Sequence, residues 1–432
     1  MDQENRYFDQ DSVRNSDQNI YREKNKKDAA AFIGGIIIGI LSTLLVVCII
    51  LTIGTFTLKK RPQQTEPEVK EKTEGLLDEE TINKLKILED KIHERFYLHE
   101  VSDEELRNGI YKGMLKALDD PYSEYYTAEE FEELMAESEG IYYGIGAYIS
   151  LDKETTLPKI SGIIKNTPAQ EVGLQNEDLI YMVDGESVYG DSLTEAVSKI
   201  KGPENTQVVL TIIRGGEQMD VEVTRRKVES PTVESKMLEN DMGYLQITQF
   251  DEVTFKQFME ALDGLKASGM KGMILDLRSN PGGNLSTVVD IARNLLPEGI
   301  IVYTEDKEGH RVTYRSKGEN EFRLPLVVLV DMNSASASEI LAGAIQDCGK
   351  GTLIGTTTFG KGIVQSVEPL KDGSAIKLTI SSYFTPNGRN IHGIGIEPDI
   401  ICEFDGSGYY DAENPVDNQL EKAKEVLAGM MN

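Results

Sequence analysis

The sequence predicts a multidomain protein with a single N-terminal transmembrane helix, a helical segment, a strand-rich domain and an α/β core. Three observations carry this expectation. Residues 29–58 contain no charged side chain, residues 139–228 read as short strands punctuated by glycine, and residues 229–405 alternate apolar strands with helices. A length of 432 residues suits two or three domains, allowing about 100 to 200 residues for each.

Composition excludes several function classes. The chain has 45 Lys and Arg against 73 Asp and Glu, a formal charge of −28, which repels a phosphate backbone and removes nucleic acid as a partner. Of Cys48, Cys348 and Cys402, the first lies in the apolar run, so at most one disulfide is available and none is needed. His93, His99, His310 and His392 never fall at HExxH spacing and no CxxC occurs, so neither a metal nor another cofactor is expected.

The order of segments follows from pattern. Residues 1–28 form a polar tail. The run FIGGIIIGILSTLLVVCIILTIGTF within residues 29–58 exceeds the ~20 apolar residues a helix needs to cross a bilayer. A cleaved signal peptide competes, but the polar tail ahead of the run and its length favour a membrane anchor. Lys and Arg flank both ends, so the charge rule leaves orientation open. Residues 59–76 are a charged, proline-bearing linker. Between residues 77 and 138, Ile82, Leu85, Leu88, Ile92 and Phe96, then Leu106, Ile110, Met114 and Leu118, recur at helical spacing and predict two amphipathic helices. Residues 406–432 form a C-terminal tail and helix.

Residues 139–228 place one helix-like stretch, SLTEAVSKI, before a final hairpin. Together with TPAQEVGLQNEDLI and VDGESV, this order resembles a PDZ domain, with Gly144, Ile145, Gly146 and Ala147 where that family has its carboxylate-binding loop. Glycines let successive N–H groups converge on one point, and such a nest holds a peptide's terminal carboxylate while the neighbouring strand edge pairs with its backbone. The competing reading of GIG alone is a tight turn.

Two strand-to-helix loops stand out in residues 229–405. DLRSNPGGN turns through Pro281, Gly282 and Gly283 into a helix, and DMNSASASEILAGAI sets Ser334, Ser336 and Ser338 ahead of an apolar helix. Ser336 and Glu339 fit the capping box S-x-x-E, the commoner explanation for that spacing taken alone. Downstream, TTFGKGIVQSV places Lys361 between two glycines, and i,i+4 positions on a strand put Lys361 and Gln365 on one side. Gly355 to Lys361 also satisfies GxxxxGK, but Gly362 supplies no hydroxyl for magnesium and a strand pattern follows where a phosphate-binding loop needs a helix.

NSASASEI, FGKGIVQ and LRSNPGGN together resemble the carboxy-terminal processing (tail-specific) serine proteases over roughly residues 77–405. That resemblance implies a membrane-anchored serine endopeptidase with Ser336 as nucleophile, Lys361 as general base, Gln365 orienting the lysine, and an oxyanion hole near Gly282, Gly283 and Ala337. It also touches Asp347, without a defined role. The chemistry suits these residue types, because a lysine becomes a base near neutral pH only when burial lowers its pKa. Oxyanion donors in a dry cleft would contribute about 3 to 4 kcal/mol each. The partners implied are protein substrates with accessible C-terminal tails, the lipid bilayer through residues 29–58, and a second copy of the chain through terminal helices. The protease would lie outside the cytoplasm. A non-catalytic scaffold that binds tails through the PDZ-like segment is the alternative.

Overall fold

A computed structural model describes residues 75–409 and 416–431. They fall into two compact units divided after Val101. In the first, α1 (Glu79–Arg95) starts at Asp78, whose carboxylate accepts from the Thr81 N–H at 2.8 Å, and no residue of α1 is buried.

The second unit begins with α2 (Asp103–Lys116), β1 (Glu124–Tyr126) and α3 (Ala128–Glu139). Ser102 with Glu105 and Thr127 with Glu130 form capping boxes that satisfy the leading amides of α2 and α3. Gly140 ends α3 at φ 71°, a left-handed turn that glycine adopts without cost.

The strand-rich segment comprises β2 (Ile141–Gly144), β3 (Ala147–Leu151), β4 (Pro158–Ile163), α4 (Pro168–Glu171), β5 (Leu179–Val183), β6 (Glu186–Ser187), α5 (Leu193–Ile200), β7 (Gln207–Arg214), β8 (Glu217–Thr224) and β9 (Arg226–Glu229). Its antiparallel sheet runs β3-β4-β5-β7-β8, with β6 on β5 and β2 paired to β9. Alternate residues such as Ile160, Ile180, Leu210, Ile212 and Val223 point inward with Ala196 and Ile200 of α5 and form a separate core. β3 ends that sheet, so one of its edges is open for pairing.

The remaining elements are β10 (Val233–Met237), β11 (Met242–Ile247), α6 (Thr254–Ala267), β12 (Gly272–Asp276), α7 (Leu285–Arg293), β13 (Glu298–Asp306), β14 (Arg311–Lys317), β15 (Leu326–Val330), α8 (Ala337–Asp347), β16 (Thr352–Gly355), β17 (Ile363–Pro369), β18 (Ala375–Phe384), β19 (Ile400–Ile401), α9 (Gly406–Tyr409) and α10 (Asn418–Met431). The central sheet has order β10-β11-β12-β15-β16-β19, parallel from β11 onward. One face carries Leu245, Met273, Leu275, Val328 and Leu353 against α6, α7 and α8. The other carries Tyr244, Ile274, Val327, Leu329 and Ile354 against Ala423 and Leu427 of α10. Burial on both faces explains why these strands are continuous apolar runs such as Leu326–Val330. A second, antiparallel sheet joins β1, β18, β13 and β14, with β17 on β18.

Two expectations change. No helix among the described residues is long and apolar enough to cross a membrane, so the transmembrane element of the expected fold class is not upheld. The run at 29–58 that suggested it lies outside the described residues. The 406–432 segment, expected as a tail and helix, contributes α10, which closes the second face of the central sheet. The strand after the lysine begins at Ile363, leaving Lys361 in the preceding loop rather than on a strand face shared with Gln365. The hairpin β13–β14 was not legible because charges interrupt its alternation, as in RVTYRSK.

Candidate active site

The C-terminal ends of β12 and β15 feed two loops that are laced together. Asn280, fully buried, donates its side-chain amide to Ile247 O at 2.8 Å, accepts from Gly282 N–H through Oδ1 at 2.9 Å, and accepts at its carbonyl from Ala335 N–H and Ser338 Oγ. The Ser279 N–H donates to Asp331 Oδ1 at 2.9 Å. These bonds hold the glycine loop against the serine loop. A Cβ on Gly282, at φ 108°, would meet Ala335 O and Ser336 Cβ at 2.8 Å and Ala337 N at 3.0 Å. Only a glycine fits there. Gly282→Ala is therefore expected to displace the serine loop and lower kcat/KM by about 100-fold or more, on the scale of a lost oxyanion donor, with binding of tail peptides unchanged.

The three serines divide by their partners. Ser334 Oγ donates to Leu277 O at 2.8 Å and Ser338 Oγ to Asn280 O at 2.9 Å, and both are buried. Ser336 is partly exposed and sits at φ 52°, ψ −111°, a conformation that costs a non-glycine residue about 1 to 3 kcal/mol. It is the N-cap position of α8, as the capping reading expects. Strain at a strand-to-helix turn is the usual way to present a nucleophile. Tyr383 donates its hydroxyl to Ser336 O at 3.0 Å and steadies the turn.

Glu339 was expected only as the partner of Ser336 in a capping box. Its side chain is fully buried, and it does more than cap. Oε2 accepts from the N–H of both Ser336 and Lys361, each at 2.9 Å, while Oε1 accepts from Thr358 Oγ1 at 2.6 Å and Gly360 N–H at 2.7 Å. The two backbone nitrogens that flank the expected chemistry therefore lie no more than twice 2.9 Å apart. Gly360, at φ 90°, and Gly362 are both tight against the chain segment 392–395, which leaves no room for a side chain at either position. Strand β17 follows Gly362 in place of the helix a phosphate-binding loop requires, so the GxxxxGK match carries no such site.

Lys361 is partly buried, with Nζ 4.3 Å from the ring centroid of Tyr122. Burial pushes its ammonium pKa down, and the charge of Lys377 pushes the same way, against the pull of Asp120. Gln365 donates its amide to Thr379 Oγ1 at 3.2 Å. The Gly282 N–H is taken by Asn280 Oδ1, whereas Ala337 N–H is one of the leading amides of α8, which have no acceptor within the helix. Gly283, at φ 138°, packs on Phe250 O. Asp347 is not brought to the site. It ends α8, eleven residues or ~16 Å along the axis from Ser336, and is bonded to Arg389 and to Asn387 N–H.

A further cluster braces this region from below. Arg278, on the same loop, donates to Asp276, Asp417 and Gln419, and Tyr244 donates to Asp276 Oδ2 at 2.8 Å. Asp417 and Gln419 lead into α10, so the C-terminal helix is tied to the start of the glycine loop. The pairing spans about 140 residues of sequence and left no local signal.

In the strand-rich domain, Gly144, Ile145, Gly146 and Ala147 form the turn from β2 into β3, with Gly146 at φ 82°. This turn opens a groove of ≈ 290 Å³ lined by Ile145, Ile149, Val197, Ile200 and Lys201, among others.

Comparison with known proteins agrees with this layout. Peptidase family S41 matches residues 241–402, a PDZ domain matches 159–214, and the activating protease CtpB N-terminal domain matches 45–130. The chain is 38% identical over 322 residues to a carboxyl-terminal-processing protease of Synechocystis sp., covering 73% of this chain and 75% of that one. It is also 38% identical to the carboxy-terminal processing protease CtpA of Bacillus subtilis, covering 71% of this chain and 66% of that one. A solved photosystem II D1 C-terminal processing protease is 29% identical with a TM-score of 0.45, covering 74% of this chain and 86% of that one. The chain belongs to peptidase family S41 and is a serine-type C-terminal processing peptidase that carries a PDZ domain.

Proposed function

We propose that Ser336 is the nucleophile and Lys361 the general base of this peptidase, which cleaves protein substrates near C-termini that the PDZ domain captures. The observation that carries the reading is the single oxygen, Glu339 Oε2, that binds the N–H groups of Ser336 and Lys361 together. The lysine takes the hydroxyl proton as Ser336 Oγ attacks the scissile carbonyl and returns it to the leaving amine. Developing oxyanion charge is met by the Ala337 N–H and by the glycine loop at Gly283, while Gly282, its N–H held by Asn280 Oδ1, shapes that loop. Gln365, whose amide rests on Thr379 Oγ1, is read as the residue that orients the lysine. A substrate tail adds as a strand on the open edge of β3, its carboxylate in the Gly144–Ala147 turn and its last side chain against Ile149, Val197 and Ile200. Extracytoplasmic substrates are part of this reading on family resemblance alone.

The test uses the full chain and an unstructured protein with an apolar C-terminal residue. Lys361→Ala should remove cleavage while tail binding persists, and amidating the substrate's C-terminus should weaken binding. Only the neutral amine accepts a proton, so kcat/KM should rise with pH through the folded pKa of Lys361, which lies below its ordinary 10.5 because the site is buried. Undiminished cleavage by Lys361→Ala would sink the assignment.

A further inference from the structure

The lysine loop is covered from an unexpected direction. Asp120 to Ser123, between α2 and β1, form a turn closed by Tyr122 N–H on Asp120 Oδ1 at 3.1 Å and Ser123 Oγ on Asp120 Oδ2 at 2.6 Å. That turn is fastened to β18, since Thr379 N–H donates to Ser123 Oγ at 3.1 Å and β1 pairs with β18 from Glu124 to Tyr126. Tyr125, buried beside it, meets Tyr111 of α2 at 5.1 Å between ring centroids. Its position therefore follows from the helical region and β18 together, and it delivers the Tyr122 ring face to Lys361 Nζ at 4.3 Å. Thr379 is also the residue that engages the Gln365 amide.

We propose that Tyr122 is a positioning residue for the general base: its ring is the seat of the Lys361 amine in the resting enzyme and keeps bulk water from it. The inference rests on the reading of Lys361 as base. Its consequence is that the helical region ahead of the PDZ domain sets the ionisation of a lysine more than 200 positions downstream. Two opposed effects act at the seat. The ring's π face attracts the ammonium, and the ring's bulk denies it hydration. The charged and titratable groups around the amine are Asp120 on the same turn, Lys377 on β18 with its partners Glu124 and Tyr126, and the Glu339 carboxylate at the Lys361 N–H. Among these the burial effect is the largest and lowers the lysine pKa. Loss of the whole ring should therefore let hydration win and raise the pKa. Loss of the π face alone should lower it.

The experiment is the pH dependence of kcat/KM for the full chain and three variants, with tail-peptide binding and circular dichroism as folding controls. Tyr122→Ala should move the acid limb up by about one pH unit and cut kcat/KM at pH 7 by about tenfold. Tyr122→Phe keeps the ring and should match the parent within about twofold. Tyr122→Leu keeps the bulk without the π face, and its limb should move down by about half a unit. An acid limb that stays in place in both the Ala and the Leu variants overturns the proposal, as does a Phe variant as impaired as Ala. If Tyr122→Ala does not fold, the Leu variant decides alone by whether its limb moves. A fully active Lys361→Ala chain would instead overturn the base assignment itself, separately from the role of Tyr122.

Discussion

Replacing Ser336 with alanine should reduce cleavage by about 10⁴-fold or more and leave the protein folded and able to bind tail peptides. The magnitude follows from nucleophile deletions in serine proteases, whose losses reach about 10⁶-fold. The geometry says why the loss should be confined to chemistry. The backbone of the serine turn is held by Glu339, Tyr383 and the Asn280 lacing, and none of these bonds needs the Ser336 hydroxyl. Ser334 and Ser338 offer no substitute nucleophile, because their hydroxyls are buried and committed to Leu277 O and Asn280 O. The measurement is kcat/KM on an unstructured substrate beside tail-peptide affinity. Cleavage within about tenfold of the parent would place the nucleophile elsewhere.

Glu339→Ala should cost both activity and stability. The substitution strips acceptors from Ser336 N–H, Thr358 Oγ1, Gly360 N–H and Lys361 N–H. Each buried donor left unpaired costs about 1 to 3 kcal/mol, and even partial relaxation leaves a deficit that is large against a total stability of about 5 to 15 kcal/mol. At about 2 to 4 °C per kcal/mol for a chain portion of this size, a fall in melting temperature on the order of 10 °C is expected. Glu339→Gln should also fail, because its NH2 would face N–H donors in either orientation, those of Ser336 and Lys361 on one side or that of Gly360 on the other. Calorimetry and cleavage assays together check the point. A Glu339→Ala protein that melts and cleaves like the parent would show that the carboxylate does not hold the two loops.

Much of the fold was legible. Strand runs such as Leu326–Val330 are apolar at every position, because helices cover both faces of the central sheet, and the apolar helix expected after the serines is α8. The PDZ domain was readable from glycine-punctuated strands with one helix before the last hairpin. The helix α3 and the hairpin β13–β14 were not, since Glu-rich and alternating charged stretches carry weak periodicity. The transmembrane expectation came from local hydropathy alone, and no described helix supports it.

By itself, the sequence determined the residue types of the site and their order: a serine ahead of an apolar helix, a lysine between glycines 25 positions later, and a glycine loop upstream. Those features are local, set by propensity and by which residues tolerate positive φ. Only the tertiary structure decided which groups touch. It extended Glu339 from a cap to both loops, engaged Gly282 N–H with Asn280, moved Lys361 off the strand, removed Asp347 to the far end of its helix, and set Tyr122 over the amine. The physical reason is that the contacts between the loops join segments from 19 to more than 200 residues apart, as the Thr358 bond to Glu339 at a separation of 19 illustrates, whereas the Asn280–Gly282 and Ser336–Glu339 bonds are local. Such pairings arise from packing of the assembled sheets, and no local pattern encodes them.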